Sequence, residues 1–186
     1  MDSYPVFLQL QDRPVLLVGG GKVASAKIEG VLAAGAQVTV VAPAVLDALR
    51  RPGVRIEERE FQPADLDGKW FVVAAATREV NRAVARAAEA RRIFLNAVDD
   101  VDSATAYLGG VLRKAGVTVA VSTDGRAPAL AGLLREALQA LLPDDLESWA
   151  DVAQRLRTHW KADGVAMARR RPLLLRALND LYREAA

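Results

Sequence analysis

The stretch VGGGKVASAK, residues 18–27, constrains the fold of this chain more than any other segment. The apolar run PVLLV precedes it, and apolar residues at helical spacing follow it as far as Gly35. A strand, a glycine turn and a helix in this order, with Gly19, Gly21 and Ala24 in the pattern G-x-G-x-x-A, are typical of a dinucleotide-binding turn. The glycines permit a tight turn and let a pyrophosphate approach the backbone N–H groups that begin the helix.

The chain then continues to alternate between predicted strands and helices. AQVTVVAP predicts a second buried strand, and residues 54–59 predict a short third strand. KWFVVAAAT and RIFLNAVDD predict two more strands, with a helix over residues 79–91 between them. This alternation predicts an α/β fold with a Rossmann-like, doubly wound parallel sheet. Ligands of such sheets bind outside the carboxyl ends of the strands.

The pattern changes after Ala104. Two short strands that meet near residues 114–116 predict a hairpin, and a leucine-striped amphipathic helix follows and ends at Pro143. This small α+β region either covers an edge of the main sheet or forms a dimer surface. The remainder of the chain predicts helices, the last of which should begin at Pro172, since proline favours the first helical position.

Candidate site residues follow two strands of the predicted sheet. The KWFVVAAAT strand has a small, polar exit that ends in Thr77, which suits close approach by a cofactor. Asn96 lies at the end of the RIFLNAVDD strand, and the carboxylates of Asp99, Asp100 and Asp102 come directly after it. Acidic loop residues are often only solvated turn formers, but this position makes Asp99, the carboxylate nearest the strand, a candidate for chemistry and Asn96 a candidate for substrate binding.

The composition excludes several kinds of chemistry. The chain has no cysteine and a single histidine, His159, so we expect no disulfide, no thiolate nucleophile and no metal site. Redox chemistry would need a bound cofactor. The second strand ends near Ala42 without the acidic residue that usually holds the ribose hydroxyls of NAD, and no arginine stands there for a 2′-phosphate. The choice between NAD and NADP therefore stays open, with NAD preferred.

The segment from Asp151 onward is the basic part of the chain, with eight lysines and arginines against four acidic residues. Its arginine cluster at residues 169–171 is either a solvated helix face or a surface for an anionic ligand. We expect no nucleic acid, because no aromatic stacking platform accompanies the arginines. No apolar run is long enough for a membrane span and the N-terminus lacks a signal core, so we expect a cytoplasmic protein without membrane contact.

Four motifs in the chain together resemble those of one enzyme family. They are MDSYPVFLQLQDRPVLLVGGGKVA, then AAT with Asn81 following, then NAVD, and finally VSTDGRAPALAGLLRE. In this order the motifs resemble the precorrin-2 dehydrogenase family, which is the dehydrogenase and ferrochelatase module of siroheme synthases. The methyltransferase domain of those synthases is absent from this sequence, so the chain resembles the stand-alone form.

The resemblance implies a function and an organisation. Precorrin-2, a tetrapyrrole, would be oxidised to sirohydrochlorin with NAD as acceptor, and some family members then insert ferrous iron, Fe²⁺, as a second substrate. The resemblance also implies a homodimer with an NAD-binding Rossmann domain over residues 1–112, a dimerisation region over 113–143 and a helical domain over 144–186.

The resemblance also implies roles for individual residues. The catalytic aspartate of the family corresponds to Asp99, and a pair of substrate-binding hydroxyls corresponds to Ser122 and Thr123. Backbone near the second strand would replace the missing acidic clamp. The family's NAD contacts correspond to Gly21, Lys22, Val23, Pro43 and Ala44.

A function of another class also accounts for part of the sequence. A regulatory module that binds NAD and signals through a dimer, without catalysis, would explain the glycine turn and the leucine stripe. It would leave NAVD and VSTDGRAP without a role.

Overall fold

The computed structural model describes residues 3–184 and divides into two compact units. The first unit extends to Leu108 and the second begins at Gly109. The division into three domains over residues 1–112, 113–143 and 144–186 stays a prediction.

The first unit is built on a five-stranded sheet whose neighbouring strands all run parallel, in the order β3-β2-β1-β4-β5. Its elements are β1 (Pro14–Val18), α1 (Lys22–Ala33), β2 (Gln37–Val41), β3 (Arg55–Glu57), β4 (Phe71–Ala74), α2 (Arg78–Arg91) and β5 (Phe94–Ala97), with short 3₁₀ turns at Asp47–Leu49 and Pro63–Leu66. The predicted α/β class and Rossmann-like sheet are confirmed.

Alternate side chains of β1 enter two separate hydrophobic clusters. Val15 and Leu17 pack in one cluster with Ile28 of α1, while Leu16 packs in the other with Val84 of α2. Successive residues of a strand point to opposite faces of its sheet, so the two helices cover opposite faces. This burial on both faces explains why the central strands β1 and β4 are continuously apolar rather than alternating.

The second unit begins with the predicted hairpin. Its strands are antiparallel and joined by a two-residue turn at Ala115–Gly116. The unit comprises β6 (Gly110–Lys114), β7 (Val117–Val121), α3 (Pro128–Leu141), α4 (Leu146–Ala162) and α5 (Met167–Glu184). Helix α3 packs against both strands, and α4 packs against α5. None of the helices within residues 3–184 is long and apolar enough to cross a membrane.

The prediction that Pro172 begins the last helix is wrong. Pro172 lies inside α5, which already begins at Met167. Residues 167–171 are methionine, alanine and arginines, which are strong helix formers, so the helix extends ahead of the proline. A proline in this position forgoes one backbone hydrogen bond.

Candidate functional site

The three glycines of the turn after β1 have different reasons to be glycine. Gly19 has a φ of +128°, and a Cβ there would collide with the carbonyl of Ala75. A Cβ on Gly20 would collide with the carbonyl of Ala44, so the fold itself requires both of these glycines. At Gly21 φ is −94° and a Cβ would meet nothing within 4 Å. The fold tolerates a side chain at Gly21, and the open space there fits the pyrophosphate of a dinucleotide.

The start of helix α1 has the features of an anion-binding helix end. Gly21 is the N-cap residue, no side chain caps the helix, and no acidic residue lies in its first turn. Lys22 and Val23 are exposed at this end, whereas Ala24 is fully buried against the sheet. Free backbone N–H groups and the helix dipole favour a negative group here, and the small Ala24 lets the helix pack closely on the strand.

The segment after β2 lies against the glycine turn. The backbone N–H of Leu46 donates to the carbonyl of Gly20 at 2.9 Å, and Pro43 and Ala44 are exposed beside it. The segment over residues 42–46 contains no charged side chain. The predicted cofactor contacts at Pro43 and Ala44 are therefore next to the turn, where backbone and apolar surface are available to the cofactor.

A cavity of about 320 Å³ opens at the carboxyl ends of β4 and β5. It contains one exposed apolar side chain from the start of α1, one cation from the start of α2 and two carboxylates from the loop after β5. The lining residues are Val23, Ala75, Ala76, Arg78, Asn81, Val98, Asp99 and Asp100. This is the position in which parallel α/β sheets bind ligands.

The acidic cluster after β5 separates into residues with different surroundings. Asp99 is exposed, lines the cavity and has a φ of +57°, a conformation that aspartate adopts more readily than most residues. No hydrogen bond or ion pair within residues 3–184 engages its carboxylate. Asp100 is buried and accepts hydrogen bonds from the backbone N–H and the hydroxyl of Ser103, at 3.3 and 2.8 Å. Asp100 thus shapes the loop, and Asp99 remains available for chemistry.

Sequence reasoning assigned no role to two residues of the cavity. Arg78 is the first residue of α2, and its guanidinium has no ion pair in the part of the chain that the structure describes. Asn81, one turn later, is buried, although it is polar and lies on a helix. An asparagine at the buried helical position of an otherwise apolar face is the signal that could have identified it.

Thr77 and Asn96 hold the local structure. The Thr77 hydroxyl caps α2 by accepting a hydrogen bond from the backbone N–H of Val80 at 3.4 Å. Asn96 is buried, and its Nδ2 donates to the carbonyl of Ala106 at 2.9 Å. Neither lines the cavity, so the cofactor role of Thr77 and the substrate role of Asn96 stay predictions.

Ser122 and Thr123 lie in the second unit, in the segment between β7 and α3. The Ser122 hydroxyl accepts from the backbone N–H of Asp124, and the Thr123 hydroxyl accepts from that of Ala127, each at 3.1 Å. Their predicted role in substrate binding stays a prediction. No group of three or more potential metal ligands occurs within residues 3–184.

The parallel sheet, the glycine turn and the uncapped helix start define a Rossmann-type nucleotide-binding protein. The chain belongs to the family described as putative NAD(P)-binding, whose model matches residues 6–110. This match confirms the predicted NAD-type cofactor. The predicted kinship with siroheme synthases and precorrin-2 dehydrogenases is confirmed as well. The similarity to these proteins covers nearly the whole chain and not only its nucleotide-binding part.

Two relatives and one solved structure document this kinship. Siroheme synthase 1 of Aeromonas salmonicida is 45% identical over an alignment that covers 96% of this chain and 39% of the relative. Siroheme synthase 3 of Aeromonas hydrophila subsp. hydrophila is 46% identical over 92% of this chain and 38% of the relative. The chain thus spans about two fifths of the length of these relatives. The structure of SirC, precorrin-2 dehydrogenase, superposes with a TM-score of 0.75 at 26% identity, covering 97% of this chain and 92% of that one.

Proposed function

We propose that this protein is a cytoplasmic, NAD-dependent dehydrogenase that oxidises precorrin-2 to sirohydrochlorin. The observation that carries the proposal is the pairing of Gly21, where the fold leaves open space, with the Asp99-lined cavity of the same unit. The similarity to SirC over nearly the whole chain supports the substrate. The siroheme synthase relatives support the same pathway.

The residues of the cavity suit each part of this reaction. Oxidation of the macrocycle removes a hydride and a proton, and NAD, when bound, accepts the hydride. Asp99 is the carboxylate that is exposed and unengaged, and it would accept the proton. Arg78 supplies a positive charge beside two carboxylates, and a guanidinium suits the carboxylate side chains of a tetrapyrrole.

Turnover of precorrin-2 tests the proposal directly. Purified protein incubated anaerobically with precorrin-2 and NAD should produce the sirohydrochlorin spectrum together with one NADH for each molecule oxidised. A sample without NAD is the control. If NAD binds but precorrin-2 remains unchanged, the enzyme proposal fails and the non-catalytic regulatory module becomes the better explanation.

A second reaction at the same carboxylate is insertion of Fe²⁺ into sirohydrochlorin. Metal insertion displaces two pyrrole N–H protons, and Asp99 would accept each of them in turn and release it to solvent, while the ring nitrogens themselves bind the metal. We expect sirohydrochlorin and Fe²⁺, mixed anaerobically with the protein, to form siroheme faster than in protein-free buffer. Absorbance spectra over time measure the difference. Equal rates with and without protein would exclude chelatase activity.

The leucine stripe of α3 supports a homodimer through the second unit. Leu133 and Leu141 are 64% and 78% exposed, and other leucines of this helix are also exposed, which leaves a contiguous apolar surface. We expect a dimer at micromolar concentration by light scattering, and we expect Leu133→Glu to convert it to a monomer, because the substitution buries a charge in the interface. Gln154→Glu, the same charge on an exposed position of α4, should leave the dimer intact. A monomeric wild-type protein would contradict the proposal.

A further inference from the structure

Asn81 connects the two strand ends that flank the cavity. Its side chain is only 3% exposed, and Oδ1 accepts a hydrogen bond from the backbone N–H of Ala76 at 3.0 Å. Its Nδ2 donates to the carbonyl of Val98 at 3.4 Å. Ala76 follows β4 and Val98 follows β5, and Asp99 is the next residue. One amide therefore bridges the segments on both sides of the cavity.

The helix that carries Asn81 does not depend on this side chain. Thr77 already caps α2, and the buried face of the helix packs through apolar residues such as Val84 and Ala88. A buried amide is costly unless its donors and acceptors are bonded, and an apolar residue of similar size would suit a helix face better. The two side-chain hydrogen bonds of Asn81 are made to Ala76 and Val98, which line the cavity. We therefore expect the amide to fix the backbone around the cavity rather than to stabilise the helix.

The sheet ladder ends just before these contacts. The backbone N–H of Val98 donates to the carbonyl of Ala74 at 2.9 Å, which is the last backbone bond from β4 to the segment after β5. The Val98 carbonyl belongs to the peptide that joins Val98 to Asp99. It accepts its hydrogen bond from the side chain of Asn81 rather than from β4. A change in the peptide that joins Val98 to Asp99 would turn the exposed carboxylate, because these two residues share it.

We propose that Asn81 is a positioning residue that orients Asp99 by tying the Val98 carbonyl to the backbone N–H of Ala76 across the cavity. This role rests on the proposed function of Asp99 as the base. Loss of the amide leaves Asp99 chemically intact and misplaced. A misplacement of about 1 Å can lower turnover by about 10²-fold, so we expect a clear fall in kcat with Asp99 still present.

Asn81→Leu removes both hydrogen bonds and keeps the number and branching of the side-chain heavy atoms, and Asn81→Ala provides a smaller variant if the first does not fold. Val84→Ala is the matched control, because Val84 is fully buried on the same helix and does not line the cavity. We expect Asn81→Leu to lower kcat by about 10- to 100-fold. Val84→Ala should lower the Tm and keep wild-type kcat well below that Tm. Equal losses of kcat in the two variants would overturn the proposal.

Combination with Asp99→Ala shows whether Asn81 acts through Asp99. If it does, Asn81→Leu should leave the residual single-turnover rate of Asp99→Ala unchanged, since the group that it positions is gone. If Asn81→Leu lowers that residual rate by the same factor as it lowers the wild-type rate, the proposed route is wrong.

Hydrogen exchange in the unliganded protein gives a readout that does not depend on activity. Amides of residues 75–77 and 98–101 should exchange faster in Asn81→Leu and at the wild-type rate in Val84→Ala. Unchanged exchange in Asn81→Leu would overturn the bridging role. If exchange increases but the wild-type protein does not oxidise precorrin-2, the bridge stands and the proposed function fails, which keeps the two results distinct.

Discussion

Asp99→Ala should lower the kcat of precorrin-2 oxidation by roughly 10²- to 10⁴-fold, which is the contribution expected of a positioned general base. The affinity for NAD should stay nearly unchanged, because we expect the glycine turn and α1 to bind the pyrophosphate, whereas Asp99 follows β5. Replacement of an exposed side chain without hydrogen bonds should also leave the fold intact. Steady-state kinetics and NADH fluorescence titration measure the two quantities separately.

Asp102→Ala is the matched control for this prediction. Asp102 belongs to the same loop and is exposed, but it does not line the cavity. Its removal takes away the same charge and should leave kcat at the wild-type level. Full turnover in Asp99→Ala would show that another group accepts the proton, and an equal loss in Asp102→Ala would indicate that the charge of the loop matters rather than the position of one carboxylate.

Gly21→Asp should raise the Kd for NAD by at least about 100-fold and leave a folded protein. A carboxylate in the open space at Gly21 would face the pyrophosphate, and apposed like charges cost several kcal/mol. The protein should not lose stability, because Gly21 has the extended backbone of an N-cap and aspartate is a preferred N-cap residue. Fluorescence titration with NADH and a thermal melt of the unliganded protein separate binding from folding.

Gly30→Asp provides the matched control on the same helix. Gly30 is exposed in α1, and a Cβ there also meets nothing within 4 Å, so the change adds the same side chain and the same charge away from the turn. We expect NAD affinity close to that of the wild type. If Gly21→Asp binds NAD as tightly as Gly30→Asp does, the glycine turn does not hold the pyrophosphate.

Local patterns of the chain were sufficient for most of the fold. The strand, glycine turn and helix around Gly19, the parallel strands and the hairpin at residues 114–116 all follow from apolar periodicity and turn residues, and the structure contains each of them. Pro172 shows where such reasoning fails. Proline generally prefers the first position of a helix, but here the helix propensity of the residues ahead of it prevailed. Local rules describe each preference separately and do not say which of the two is stronger.

The site residues that could be predicted are those marked by their neighbours in the sequence. Asp99 was predicted as the base because it follows a buried strand and matches the catalytic aspartate of the family, and Gly21 was predicted as a cofactor contact because it belongs to a motif of adjacent residues. The sequence could not distinguish Gly21 from Gly19 and Gly20. A Cβ on Gly19 or Gly20 would collide with Ala75 or Ala44, respectively, which belong to other segments of the chain.

The sequence alone therefore determined the class of fold and a dinucleotide as the kind of cofactor, and it indicated the carboxylate that we expect to be the base, because each depends on local patterns. The folded chain decided which residues surround that carboxylate. Asn81 and Arg78 reach the cavity because α2 begins where β4 ends, and Asn81 reaches Val98 because β5 pairs with β4. Such contacts depend on the order of strands in the sheet, which brings together residues that are distant in sequence.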